Sequence, residues 1–448
     1  LFRSMRLKER SYTMEKGINK QAAAVGLAFF AALFGAGNLI FPSYMGLESG
    51  KVIIGFVMFI ILDAVFSALG LVAESKRPEQ KMSTLVRCGK PMFIFTTIMG
   101  QFIGFLCIVP RTCATCFEIG IKPLFPGIPT VAFSIAFFAL TFVMAVKPGK
   151  VVDIVGKYLT PALIVLILII VAKGLITPLG QMASEPQIDN LFAEGVIQGY
   201  QTTDAMGAPT LAIVYLVGCY AAGYSESKDV SKIFVRGGII ACICMVVIYG
   251  GLFILGAQLS QEFTPDAITS TALVSVIVER LLGRVGLAIF ALVVLLACLT
   301  TAISSSSGGS QYWMMLTKDK VKYHILVAAY CIVGVIMSMM GVNQILAIAG
   351  PFLSLCFPPF LVLIVLTLFT NKIKNDNVFI AGSYGALVFA IIQDFTPLGA
   401  MLPLSSLSLG WVIPAAICAA VGAFIPSKVC RDPVWAEKLG MEHTKGIA

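Results

Sequence analysis

The sequence predicts an all-α polytopic membrane protein with about twelve transmembrane helices. Hydrophobic residues make up 58% of the 448 residues and charged residues only 12%. The mean hydropathy of +0.93 is far above that of soluble domains, which are roughly half apolar. Apolar stretches long enough to cross a bilayer, roughly 20 residues each, recur along the whole chain. One membrane-embedded unit is therefore expected, and the sequence leaves no stretch long enough for a second, soluble domain.

Hydropathy places twelve spans along the chain. They cover residues 18–42, 52–74, 92–120, 130–147, 153–176, 196–221, 233–259, 284–308, 323–341, 344–370, 377–396 and 408–426. We expect residues 1–17 to form an N-terminal leader, residues 18–426 to form a single transmembrane domain, and residues 427–448 to form a tail. The two longest external segments, 176–195 and 257–283, are expected to carry short surface helices.

Lysine and arginine are distributed unequally between the two sides that these spans define. The richer side carries Lys76, Arg77, Lys81, Arg87, Lys90, Lys147, Lys150, Lys157, Lys228, Lys232, Arg236, Lys318, Lys320, Lys322, Lys372 and Lys374. The other side has only Lys51, Arg111, Lys122, Lys173, Arg280 and Arg284. Because cytoplasmic loops collect positive charge, both termini are predicted to be cytoplasmic. This bias also explains the net charge of +9, so we expect no nucleic-acid partner.

The first span contains a helix-breaking signal at residues 34–42, Phe-Gly-Ala-Gly-Asn-Leu-Ile-Phe-Pro. A break inside hydrocarbon requires protein, an ion or a bound molecule to satisfy the freed backbone groups. Broken helices of this kind mark substrate and ion sites in secondary transporters. We therefore expect Gly35, Ala36, Gly37 and Asn38 to offer N–H groups to a carboxylate and carbonyls to a cation. Glycine also serves close helix packing, but packing does not require Asn38.

The sixth span carries a second interruption at residues 199–209, Gly-Tyr-Gln-Thr-Thr-Asp-Ala-Met-Gly-Ala-Pro. It lies five spans after the first. Because this offset is odd, the second set of five helices starts from the opposite side of the membrane, which predicts a 5+5 inverted repeat. Repeat one covers about 18–176, repeat two covers about 196–370, and two further helices cover about 377–426. Since both broken helices begin a repeat, they are expected to meet near the midplane of the membrane.

Two carboxylates lie within predicted spans. Burying a charge there costs about 2.5–3.5 kcal/mol on insertion scales, so Asp204 of span six is expected to face a cavity or a partner. It could attract a cation or a substrate ammonium, or it could bond the break structurally. Asp63 of span two is open to a structural or a proton-linked role. The lone histidines and the Cys113–Cys116 spacing form no metal or catalytic cluster in the sequence, so an enzyme is not expected.

Span eight ends in hydroxyl-bearing residues, beginning Ala297-Cys-Leu-Thr300-Thr301. Hydroxyls at this spacing share one helix face, where neutral oxygens could complete the shell of a dehydrated sodium ion. They could equally bond back to their own helix. Gln101 and Phe105 of span three lie on or near one face and are candidates for a pocket wall, although aromatic residues at this spacing also form packed core.

The chain resembles the branched-chain amino acid:cation symporter family of bacteria in three motifs, namely the interruptions at 34–42 and 199–209 and the hydroxyl-bearing end of span eight. The similarity runs from about residue 16 to 426. The resemblance implies sodium-coupled uptake of leucine, isoleucine and valine across the cytoplasmic membrane. The chain is also distantly similar to the 5+5 fold of the bacterial leucine transporter. That similarity implies a sodium shell, with sodium as a coupling ion rather than a tightly bound cofactor. The implied ligands are the carbonyls of Ala31, Phe34 and Ala297 and the hydroxyls of Thr300 and Thr301.

The predicted substrate site joins the two breaks. Its residues are Gly35, Ala36, Gly37, Asn38, Gln101, Phe105, Tyr200, Gln201, Thr203 and Asp204. The expected partners are the amino acid and the lipid bilayer, with the chain acting as a monomer or weak homo-oligomer. One alternative stays open, a proton-coupled carrier of another small neutral amino acid that uses Asp204 or Asp63. A channel would need a continuous polar lining, which the sequence does not offer.

Overall fold

The structure of the protein, a computed structural model, describes residues 2–35, 37–76, 84–146, 150–224 and 226–427. All regular elements within these ranges are helices. We number them by span as α1a Phe2–Leu33, α1b Gly37–Ser49, α2 Ile54–Glu74, α3 Lys90–Leu124, α4 Thr130–Val146, α5 Lys150–Ile176, α6a Leu191–Thr202, α6b Asp204–Ala221, α7 Ser227–Ala257, α8 Ser270–Leu316, α9 Tyr323–Ser338, α10 Val342–Leu368, α11 Asn377–Phe395 and α12 Val412–Phe424.

The prediction of an all-α polytopic membrane protein is confirmed. Seven spans in the described ranges are long and apolar enough to cross a membrane, with α6a and α6b counted as one, and α1a with α1b forms one further, broken span. Shorter apolar stretches in α4, α5, α9 and α12 supply the remaining spans. Hydropathy located these helices because each one presents an apolar surface of bilayer length.

Some helices extend beyond the predicted apolar spans, because polar residues can also form helix. The helix α1a begins at Phe2, so most of the predicted leader is helical in its backbone. Lysine, arginine, glutamate and methionine, which are frequent there, are good helix formers although most of them are polar. The predicted tail, 427–448, lies outside the described residues except for Ser427.

The two long external segments differ from each other. Residues 177–190 contain no helix, against the prediction, because Pro178, Gly180 and Pro186 interrupt the stretch. The second segment does carry a helix, which is the first part of α8 and ends at a non-helical residue, Gly283 (φ 70°, ψ −176°), before α8 continues. On that helix Arg280 donates a hydrogen bond of 2.6 Å to Glu262. This bond holds the pKa of the Glu262 carboxyl below its usual value.

The broken span packs against α7 through bare backbone. A Cβ on Gly26 would lie 2.5 Å from the carbonyl oxygen of Gly237, and one on Gly256 would lie 1.7 Å from that of Ser43. Small residues at such crossings let helices approach closely where no hydrophobic effect drives them together. The helices α1a and α1b therefore both pack against α7, one on each side of the break.

The helix α3 is held near both of its ends by buried polar contacts. Before its first turn, Arg87 forms an ion pair with Asp376 in the α10–α11 connection, with Nε and Oδ1 2.5 Å apart. Near its other end, Glu118 accepts hydrogen bonds from the Thr271 hydroxyl at 2.6 Å and from the Val342 N–H at 3.0 Å. The second of these bonds caps the N-terminus of α10, where a carboxylate is favoured. The middle of α3 is thus positioned against the breaks.

Replacing Gly256 by alanine should destabilise the protein, because the new methyl group would overlap the backbone of α1b. Overpacking of this kind costs about 1–3 kcal/mol or more. We expect a lower melting temperature in detergent and a smaller monodisperse fraction in size-exclusion chromatography. Gly250→Ala on the same helix is the control, since its Cβ would meet only the Phe56 ring at 3.9 Å. Equal melting temperatures for the two variants would contradict the close packing.

Candidate functional site

The break in span one is a sharp bend between two helices. The axes of the two halves differ by 75° across the residues between Leu33 and Gly37. Gly35 N–H donates to the side-chain oxygen of Asn38 at 3.3 Å, instead of to the carbonyl of Ala31 as it would in a continuous helix. Carbonyls at the end of α1a and N–H groups at the start of α1b are thereby left without helical partners. The break predicted here is confirmed, although Ala36 lies outside the described residues.

The break in span six is narrower. A single residue, Thr203, adopts a left-handed conformation with φ 69° and ψ 2°, and helix resumes at Asp204. A β-branched residue rarely adopts this backbone, which costs on the order of 1–3 kcal/mol. The Thr203 N–H still bonds the Tyr200 carbonyl at 3.2 Å. The interruption predicted in span six is confirmed, and it is confined to one residue.

One amide side chain ties the two breaks together. The Asn38 Nδ2 atom donates to Asp204 Oδ2 at 2.6 Å and also to the hydroxyl oxygen of Tyr249 on α7. The Asn38 side chain is buried, with its residue 2% exposed. The breaks therefore meet, as the inverted repeat predicts. Tyr249 was not predicted, because nothing around a tyrosine in an apolar span distinguishes it from core.

Asp63 lies near Asp204 and Tyr249 and belongs to the same buried cluster. It occupies a π-helical turn, Ile61–Val65, of a kind that often occurs at functional sites. Its carboxylate interacts electrostatically with Thr202, Tyr249 and Asp204, yet neither of its oxygens has a hydrogen bond of normal geometry. Two neighbouring buried carboxyl groups need a proton or a cation between them, because two uncompensated negative charges would be very costly there.

A cavity of about 1020 Å³ opens from the breaks. We call the membrane face where α1a begins the N-face. Besides the breaks, the cavity is lined by segments that lead to the N-face, namely the last turn of α1a, the start of α3, the part of α6b after the kink, and the end of α8. Representative lining residues are Ala32, Phe93, Thr97, Pro209, Ile213 and Ser305.

The opposite face is closed by contacts between helices and external segments. The Tyr44 hydroxyl donates to the Pro265 carbonyl at 2.8 Å, and Gln198 Nε2 donates to Glu48 Oε2 at 2.9 Å. The Phe56 ring on α2 packs against Phe253 on α7 with centroids 4.6 Å apart. In this structure these contacts separate the cavity from the face opposite the N-face.

The residues predicted for a sodium site share this cavity. Its wall includes Ala31, Phe34, Ala297, Thr300 and Thr301. Both threonine hydroxyls donate to the Ala297 carbonyl, at 2.8 and 3.0 Å, which is the back-bonding geometry considered as the alternative. A hydroxyl that donates its hydrogen in this way keeps its oxygen lone pairs available to a cation.

The residues predicted for the substrate divide into two groups. Gly35, Gly37, Asn38, Gln101, Thr203 and Asp204 line the cavity. Three others are engaged elsewhere and are not part of its wall. The Phe105 ring packs edge-on against Tyr330 with centroids 4.8 Å apart, the Tyr200 ring stacks on Phe357 at 4.6 Å, and the Gln201 carbonyl accepts a hydrogen bond from Arg111.

Arg111 itself corrects the charge count made from the sequence, which assigned it to an external surface. The structure places it within α3, 6% exposed and in the cavity wall. Hydropathy alone could not decide its position, because a single arginine changes the average of a long apolar window only slightly. The signal that could have found it is the length of span three, which leaves no loop at that position.

The fold defines a polytopic membrane protein with the leucine-transporter-like architecture. Over 90% of both chains, the structure is similar to "Inward facing conformation of Mhp1", with a TM-score of 0.61 and 14% identity. It is also similar to the transporter MhsT solved with L-phenylalanine, with a TM-score of 0.54 and 16% identity over 90% of this chain and 97% of that one. At such identities the likeness concerns the fold alone.

Sequence comparison identifies the family. A family model described as branched-chain amino acid transport protein matches residues 18–429. The chain is 32% identical to the branched-chain amino acid permease BraB of Bacillus subtilis, over 90% of this chain and 95% of that protein. It is 30% identical to the branched-chain amino acid transport system 2 carrier protein of Pseudomonas aeruginosa, over 88% and 93% respectively. The chain belongs to this family of transporters, whose members compared here are carriers and permeases rather than enzymes.

The hydrogen bonds of Asn38 lead to a prediction about coupling. Asn38→Ala and Tyr249→Phe each remove the bond between the two side chains, so the melting temperature should fall in both single variants. The melting temperature of the double variant should fall by clearly less than the sum of the two single shifts. Coupled neighbours deviate from additivity by about 0.5–3 kcal/mol. Asn375→Ala combined with Tyr249→Phe is the control pair and should be additive. Additive shifts for Asn38 and Tyr249 would argue against the shared bond.

Proposed function

We propose that this chain is a secondary active transporter that carries branched-chain amino acids into a bacterial cell together with sodium. The observation that carries this proposal is the cavity that both breaks and the hydroxyl face of α8 share. It reaches one membrane face and is closed toward the other, as alternating access requires of a single state. A continuous channel would join both faces.

The chemistry of the cavity suits a zwitterion with an aliphatic side chain. The free N–H groups at the start of α1b favour a carboxylate, and helix-end carbonyls together with Asp204 favour an ammonium group. The wall beside them includes Ile103, Ile108, Leu163 and Met206, which offer apolar contact. One methylene is worth only about 1–3 kcal/mol in such a pocket, so leucine, isoleucine and valine should compete with one another.

Sodium coupling is proposed from the donor set at the far side of the same break. The carbonyl of Ala31 loses its helical donor to Asn38, and the Ala297, Thr300 and Thr301 oxygens lie in the same cavity wall. Neutral oxygens of this kind are the ligands that hard cations prefer. A sodium ion driven by a membrane potential of 100 mV would contribute about 2.3 kcal/mol per charge. Because α1 serves both sites, occupancy of one should favour occupancy of the other.

The side of the membrane to which the cavity opens is inferred from the charge bias of the loops. If the lysine-rich side is cytoplasmic, the N-face is the cytoplasmic face. The cavity then opens inward, and the structure represents an inward-facing state in the cytoplasmic membrane. Uptake requires the contacts of Tyr44 and Glu48 to separate while the N-face closes.

Proton coupling is the second candidate, and the buried Asp63 beside Asp204 favours it. A proton shared by these carboxyl groups would remove the charge that the membrane interior disfavours. The two candidates differ in the ion that drives uptake.

Uptake of radiolabelled leucine, isoleucine and valine into proteoliposomes should separate them. Sodium, proton and potassium gradients are imposed one at a time. We expect accumulation with an inward sodium gradient and no accumulation with a pH gradient alone. Uptake that persists without sodium and collapses with the pH gradient would assign coupling to the carboxyl pair instead.

The proposed sodium ligands predict a specific loss. Thr300→Ala and Thr301→Ala each remove one oxygen, so the sodium concentration for half-maximal uptake should rise about tenfold or more, as for a loss of about 1.4 kcal/mol. Thr317→Ala is the matched control, because this hydroxyl bonds back to the Trp313 carbonyl at 2.8 Å but does not line the cavity. Unchanged sodium activation in all three variants would reject the assignment.

A further inference from the structure

Arg111 is a buried cation that lacks an anionic partner among the described side chains. Its Nη1 atom donates to the Gln201 carbonyl at 2.6 Å, and its guanidinium lies 5.8 Å from the centre of the Phe41 ring. No ion pair joins it to any carboxylate in the described part of the chain, where a pair would require 4.0 Å or less. A carbonyl and a ring compensate only part of a full charge inside a membrane, where arginine is strongly disfavoured.

The free side of the guanidinium lies against the break in span one. Arg111 Nη2 is 3.1 Å, and the guanidinium carbon 3.3 Å, from the position that a Cβ on Gly37 would occupy. A methyl group at Gly37 would therefore force the guanidinium to shift by a few tenths of an ångström. The N–H groups that begin α1b and the guanidinium are therefore neighbours in the cavity wall. Both features favour a carboxylate, which can bind arginine through two parallel hydrogen bonds.

The matching negative charge lies in the same cavity. Asp204 interacts electrostatically with Arg111, but the two side chains form no ion pair. The Asp204 carboxylate is held instead by Asn38, at 2.6 Å. A fixed cation and a fixed anion that do not neutralise each other by contact are complementary to a molecule that carries both charges. An α-amino acid is such a molecule.

We infer that Arg111 binds the α-carboxylate of the transported amino acid. The inference rests on the proposed function and adds a charged residue of α3 to a site otherwise built from backbone amides. It makes the carboxylate a requirement for recognition. Amides and amines with the same aliphatic side chain should bind poorly, because they would leave the buried guanidinium without an anion.

The test compares leucine with leucinamide, which keeps the ammonium and the side chain but has a neutral amide. Binding to the purified full chain in saturating sodium is measured by competition against radiolabelled leucine or, where that signal is lost, by the ligand-induced rise in melting temperature. In the unmodified protein leucine should bind about 30-fold or more tightly than leucinamide, as expected for a buried charge pair. In Arg111→Gln the affinity for leucine should fall by about that factor, and the affinity for leucinamide should change little. The ratio of the two affinities should therefore approach one.

Two further variants keep the outcome decisive. Gly37→Ala would displace the guanidinium without removing it, and it should lower the affinity for leucine more than that for leucinamide, even if Arg111→Gln fails to fold. Arg280→Gln, which removes an exposed arginine from its pair with Glu262, should leave the ratio unchanged. Equal losses for both ligands in the Arg111 and Gly37 variants would show that Arg111 only supports the kink through Gln201. Absence of branched-chain amino acid binding to the unmodified protein would instead refute the proposed function.

Discussion

The hydrogen bonds of the Asn38 amide hold the central part of this structure together. Its oxygen accepts the N–H of Gly35, and its nitrogen donates to Asp204 and to Tyr249. Within a bilayer no water is available to satisfy a broken helix, so a break persists only where a polar group replaces the lost bonds. The Asn38 amide replaces a lost helical bond in span one, and it also bonds span one to α6b and α7. The carbonyl freed at the end of α1a and the position of the Asp204 carboxylate both depend on that arrangement.

Much of the fold could be predicted because the bilayer imposes simple rules. Span length, apolar composition and backbone satisfaction act locally, so the twelve spans and the break before Asn38 follow from short stretches of sequence. Contacts between distant helices do not follow in this way. Helical turns of unusual pitch add to the difficulty, since Asp63 lies in Ile61–Val65 and Phe105 in Gly104–Ile108, both π-helical. Each such turn rotates the helix face, so spacing by 3.6 residues pointed Phe105 at the pocket, whereas it packs on Tyr330.

Three charged side chains are buried within the membrane-spanning part of the protein, and their charges have to be considered together. Asp63, Asp204 and Arg111 are each buried, and no pair of them forms a direct ion pair in the described structure. Intramembrane charges left separate in this way are costly to the fold and are therefore expected to have a role in function. With both carboxyl groups ionised, the three side chains carry one net negative charge, which a proton or a cation would neutralise.

The bare-backbone contacts between α1 and α7 have a mechanical consequence. Gly26 and Gly237 bring the two backbones into direct contact, and Arg236 of α7 also donates hydrogen bonds to Asn19 and Glu15 of α1a. The helix α1a and the facing part of α7 are therefore joined at two levels, by close packing and by side-chain bonds. We expect the two segments to move as one rigid body in any rearrangement of the broken span, with the bend at Asn38 at its end.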